Sequence, residues 1–96
     1  MKIYIAGPMR GLPDLNFPAF IEVADELRRE GHEVFNPAEL PHDFNIRQCF
    51  AADLKYICEE ADAILMMPGW ERSYGARSEH AVALALGPEN IKVMYL

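Results

Sequence analysis

Basic charge is scarce in this chain. Its 9 lysines and arginines face 15 aspartates and glutamates, for a net charge of −6. No basic run breaks that balance, which argues against a nucleic-acid-binding surface. Cysteine is scarcer still. Cys49 and Cys58 are the only two, and they fall in one predicted helix, too far apart to bridge. They read as buried, reduced thiols of a cytosolic protein. No Cys/His group has zinc spacing, so no metal is expected. No apolar run is long enough to cross a bilayer and no signal peptide is seen. The expected location is therefore cytoplasmic, with no membrane partner. Internal repeats and low-complexity tracts are also missing.

What is present is a short alternation of strand and helix signals. The 96 residues suit a single domain, 1–96. Ile3 to Ala6 is a short apolar strand ending at Gly7. Asn16 is placed to cap a first helix with the stripe Phe17, Phe20, Ile21, Ala24 and Leu27, stopped by Gly31. Glu33 to Phe35 is a second strand, broken by Asn36-Pro37. Asn45 caps a second helix running to about Ala61. Asp62 to Met67 is a third strand, continuously apolar from Ala63 to Met67, as in a sheet covered on both faces. The third helix begins near Ser73 or Tyr74 and ends at Gly87-Pro88, and Lys92 to Leu96 is the last strand. The order β-α-β-α-β-α-β implies a small, Rossmann-like, doubly wound sheet of four parallel strands with three helices. In such sheets ligands bind beyond the carboxyl ends of the strands. Three loops leave those ends: Gly7 to Asn16, Asn36 to Asn45, and Pro68 to Tyr74.

Two carboxylates stand where hydrocarbon belongs. Asp53 completes the helical stripe Ile46, Cys49, Phe50, Leu54 and Ile57. Glu79 leads the stripe Val82, Ala83 and Leu86. A carboxylate on the core side of a helix is costly unless something pairs with it. Two in so short a chain suggest a shared site with displaced pKa values. A core Asp53 satisfied by a backbone cap, by Arg47 or by Arg77 is the competing explanation. Glu79 lies in the first turn or two of its helix, where the dipole would favour its negative form and a role as nucleophile or base.

The loops add anion-binding features. Gly7, Arg10 and Gly11 combine close backbone approach with a forked cation, although neither a GxGxxG nor a GK[ST] pattern is present. Ser73, Tyr74 and Gly75 open a helix with a capping hydroxyl and free N–H groups. A plain turn and a plain cap would explain each loop as well. Tyr4 fits core packing, Trp70 fits packing or ring stacking, and His32, His42 and His80 fit surface or loop positions.

Taken together, these residues resemble the nucleoside 2-deoxyribosyltransferase superfamily. The resemblance rests on Tyr4-Ile5-Ala6-Gly7-Pro8-Met9-Arg10-Gly11, on Asp53-Leu54, on Asp62 before an apolar strand, and on Ser73-x-Gly75-x-x-x-Glu79. It extends through Ala81, Ala83, Ala85 and Gly87. The opening and the short length look most like small phage and bacterial members of unassigned function. The motif spacing is most similar to the 2′-deoxynucleoside 5′-monophosphate N-glycosidase branch.

The resemblance implies roles residue by residue. Glu79 matches the nucleophile that attacks C1′ of the deoxyribose. Asp53 matches the carboxyl group that assists departure of the base, and Tyr4 matches a tyrosine that positions the reacting groups. Gly7, Arg10, Gly11, Ser73 and Gly75 match a 5′-phosphate cradle. No cofactor is implied. The implied partners are a small-molecule nucleotide or nucleoside and further copies of the chain as a homo-oligomer. Pro8 and Ala81 depart from the branch, which has serine and glycine there. The expected activity is cleavage of an N-glycosidic bond through a sugar ester on Glu79, by hydrolysis or by transfer to another base. A non-catalytic nucleotide-binding or nucleotide-sensing module is the alternative.

Overall fold

A computed structural model describes every residue from Met1 to Leu96. Four strands and three helices alternate along the chain. The strands are β1 (Lys2–Ala6), β2 (Glu33–Phe35), β3 (Ala63–Met66) and β4 (Lys92–Tyr95). The helices are α1 (Phe17–Arg29), α2 (Ile46–Glu59) and α3 (Tyr74–Leu86). The sheet is parallel throughout, in the order β2-β1-β3-β4. This is the small Rossmann-like α/β arrangement that the alternation implied. The direction of winding reverses between β1 and β3, where Tyr4 is registered with Ile64.

The period of two along a strand sends neighbouring side chains to opposite faces. Ile5 packs with Phe20 and Ala24 of α1, and Ile3 packs near Val23 and Leu27 of the same helix. Tyr4 and Ala6 point the other way, to Tyr56 and Ile57 of α2 and to Ala76 and Ala83 of α3. So α1 covers one face while α2 and α3 cover the other. Ile21 is exposed, so the buried stripe of α1 runs through Val23 instead. No helix is long and apolar enough to cross a membrane.

Helix starts are fixed by side chains that accept the first free amides. Asn45 and Gln48 form a reciprocal capping box at α2, with bonds of 2.9 and 2.8 Å. Ser73 Oγ accepts the Ala76 N–H at 3.2 Å to start α3. Asn16 differs from expectation. It precedes α1 but makes no capping bond, because its left-handed backbone turns the side chain back. Its Nδ2 donates instead to the Pro8 carbonyl at 2.9 Å. The loops after β2 and β3 also contain short 3-10 turns, Pro37–Glu39 and Trp70–Arg72. Both cysteines are free. The expectation of two buried thiols is corrected at Cys58, which is exposed, while Cys49 is half-buried.

Candidate active site

Tyr4, Asp53 and Glu79 converge beside the winding reversal. β1 turns Tyr4 towards α2 and α3, and those helices turn Asp53 and Glu79 back towards it. The three are 1 %, 7 % and 5 % exposed, respectively. The Tyr4 hydroxyl donates to Glu79 Oε2 at 2.7 Å. Asp53 forms no ion pair with Arg47 or Arg77, and its Oδ1 is buried with no partner. Arg77 lies instead over the Tyr74 ring, 5.8 Å from its centroid.

Burial sets the charge state of this trio. It pushes Asp53 up to about 6, against a smaller downward pull from the neighbouring Tyr4 and Glu79. It pushes Glu79 up to about 8, with the Asp53 charge adding to the rise and the Tyr4 bond opposing it. Burial, followed by the charges of Glu79 and Asp53, raises the Tyr4 hydroxyl well above its usual range. The dipole argument for an ionised Glu79 is therefore corrected. Glu79 is the sixth residue of α3, counted from Tyr74, beyond the first turn where the dipole acts strongly, and desolvation dominates. Between about pH 6 and 8 the pair holds roughly one proton.

These groups line a cavity of about 670 Å³. Tyr4, Gly7, Arg10, Ser73 and Gly75 share its wall with Asp53 and Glu79. Gly11 does not reach the wall; it serves the turn, at φ +81. Gly7 is required by packing whatever the cavity holds, because a Cβ there would meet Met67 Cβ at 2.9 Å. Gly75 is different. A Cβ there would make only an ordinary contact, 3.5 Å from Phe50. Its absence leaves open the start of α3, where the Tyr74 and Gly75 amides have no acceptor in the chain.

Several wall residues escaped the sequence reasoning. Arg72 lines the cavity, and its place directly before Ser73 was the available signal. Neither Arg10 nor Arg72 forms an ion pair, so two free cations border two acids. His42 also lines the cavity, its ring 6.1 Å from Phe17; nothing in its local sequence marked it. Trp70 and His80 lie outside this wall, their rings tilted by 35° with centroids 4.2 Å apart, and His80 is hydrogen-bonded to the Tyr95 hydroxyl at 2.7 Å. No group of His, Cys, Asp or Glu side chains could hold a metal ion.

The arrangement can therefore present one carboxylate and one carboxylic acid to a bound molecule whose anionic part meets cations and free amides. Comparison with known proteins gives a family and assigns no activity. No curated protein matches the chain, and no solved structure does. One family model, described as a domain of unknown function, matches residues 1–95. A match over nearly the whole length places the chain in the DUF4406 family.

Proposed function

We propose that this protein cleaves the N-glycosidic bond of a deoxynucleoside 5′-monophosphate or a deoxynucleoside. The observation that carries the reading is the buried Tyr4–Glu79–Asp53 trio in the wall of a cavity that also bears Arg10 and Arg72. Breaking this bond requires a nucleophile at C1′ and a proton for the departing base. Two carboxyl groups holding one proton match that requirement.

The shared proton rests mainly on Glu79, so the reactive state is the minor form in which it has moved to Asp53, leaving Glu79 ionised. The Glu79 carboxylate attacks C1′ and the C1′–N bond breaks. Its electron pair leaves with the base, which takes the Asp53 proton. The Tyr4 hydroxyl holds Glu79 Oε2 in place and favours its charged form. A water, or a ring nitrogen of a second base, then attacks C1′ of the ester. Its proton passes to Asp53 and Glu79 is released as carboxylate. Arg10, Arg72 and the open amides of α3 would hold a 5′-phosphate and orient the sugar, which can contribute several kcal/mol to the rate.

The test is free-base release from a panel of deoxynucleotides and deoxynucleosides, with Glu79→Ala alongside. Release by the parent and loss of at least ~10³-fold in the variant would support the reading, since it removes the nucleophile. Tight nucleotide binding with no release would make the chain a binding module instead.

A further inference from the structure

We infer that the leaving-group end of the cavity selects its base by apolar contact, and that Leu15 is a specificity-determining residue there. The favoured substrate class is a nucleotide whose base carries an alkyl substituent, ahead of the unsubstituted base. This rests on the nucleotide-cleaving reading of the same site.

The cavity wall divides by element. The β1 loop and the start of α3 supply Arg10, Ser73 and Gly75. The segment entering α1, the loop after β2 and the first turns of α2 supply hydrocarbon: Leu15, Phe17, Leu40, Phe44, Ile46 and Phe50. Short of Asp53, the only heteroatom-bearing side chains on the wall along that stretch are His42 and the Cys49 thiol. A base bound there would find shape and hydrocarbon, with few groups to read its polar edge. A site that hydrogen-bonds its substrate rejects analogues strongly, whereas an apolar one ranks them by buried bulk.

Leu15 carries the argument further. It is 47 % exposed although it lines the cavity, and Ile46 is 45 % exposed. The chain holds Leu15 there against its own preference. Asp14, Leu15 and Asn16 are all left-handed, at φ 51, 53 and 60. None is glycine, and leucine has no side-chain hydrogen bond to offset the strain. The segment is tied down by the Asn16 bond to the Pro8 carbonyl and by the Leu15 N–H bond to the Leu12 carbonyl at 3.0 Å. Strain retained at a ligand cavity, displaying a half-bare leucine, is accounted for when a ligand covers that leucine.

The test uses the full chain and two nucleotide series. One runs from deoxyuridine monophosphate through its 5-methyl and 5-ethyl forms. The other compares deoxyadenosine monophosphate with its N6-methyl form. Both kcat/KM for base release and Kd by calorimetry are measured, in the parent and in Leu15→Asn. Asparagine adopts the left-handed conformation more readily than leucine, so this variant retains the loop while removing the apolar cover. In at least one series the parent should gain roughly tenfold or more per added methylene. Leu15→Asn should flatten that gain. Flat or falling series in the parent, or an undiminished gain in the variant, would overturn the inference and leave the cleavage reading standing. A rising Kd series without base release would sustain apolar selection and remove the cleavage. Absence of binding to every nucleotide would overturn both.

Discussion

Tyr4 and Glu79 lie 75 positions apart and meet through a 2.7 Å hydrogen bond in the protein interior. That bond opposes the burial that keeps Glu79 protonated. Tyr4→Phe removes it without opening a large cavity. The variant should shift the falling limb of the pH–rate profile upward and lower kcat by ~10–100-fold, the scale of a hydrogen bond to a charged group. Steady-state base release between pH 5 and 9 checks this. An unmoved profile would mean that the tyrosine only packs.

The same burial has a consequence for stability. Both carboxyl groups have folded-state pKa values raised above their ordinary ones, to about 6 for Asp53 and about 8 for Glu79. The folded state therefore binds more protons than the unfolded state in that range. The stabilising contribution is fully present below pH 4 and is lost as pH rises to about 8. Each proton contributes a slope of at most about 1.4 kcal/mol per pH unit. Denaturant unfolding from pH 4 to 9 should show the parent weakening across this window. Glu79→Gln should show a smaller decline, and above pH 7 it should be at least as stable as the parent.

Much of this fold was legible because its signals are local. Asn36-Pro37, Asn45 and Ser73 mark ends of elements by backbone chemistry alone. The run Ala63 to Met66 reads as a doubly covered strand from composition. The acid pair was legible for a related reason: a helical stripe with one carboxylate in it is a local anomaly. What stayed hidden needed the third dimension. The ionisation of Glu79 depends on its burial, on the Tyr4 hydrogen bond and on the Asp53 charge, which its place in the helix does not reveal. The position of Asn16 suggested a cap, but a left-handed turn spent its side chain on Pro8. Arg72 and His42 reach the cavity only because loops from three strands meet there.

Gly75 offers a separation of folding from binding. Gly75→Ala should stabilise α3 by about 0.5–1 kcal/mol, since alanine is the better helix former and its methyl meets only ordinary contacts. The same methyl would crowd the open amides at the helix start. Nucleotide affinity should fall by ~10-fold or more while the unfolding midpoint rises. Calorimetry and thermal unfolding of the one variant read both effects.

Arg10 and Arg72 are the cations on the cavity wall, and neither has an acidic partner to lose. Replacing either by alanine should raise KM for a deoxynucleoside 5′-monophosphate by ~10-fold or more, as expected for a lost charge-assisted bond. KM for the corresponding nucleoside should barely change. The difference between the two substrates, measured side by side, isolates the phosphate contact from any general loss of structure.

The most direct measurement is a rapid-quench reaction of the parent with an excess of cleaved deoxynucleotide, followed by mass analysis of the peptide bearing Glu79. The account predicts free base together with a deoxyribosyl ester on Glu79, and with it a burst of base wherever ester breakdown is the slower step. Base release at full rate from Glu79→Gln would contradict it, and so would release in the parent with the sugar attached to another residue.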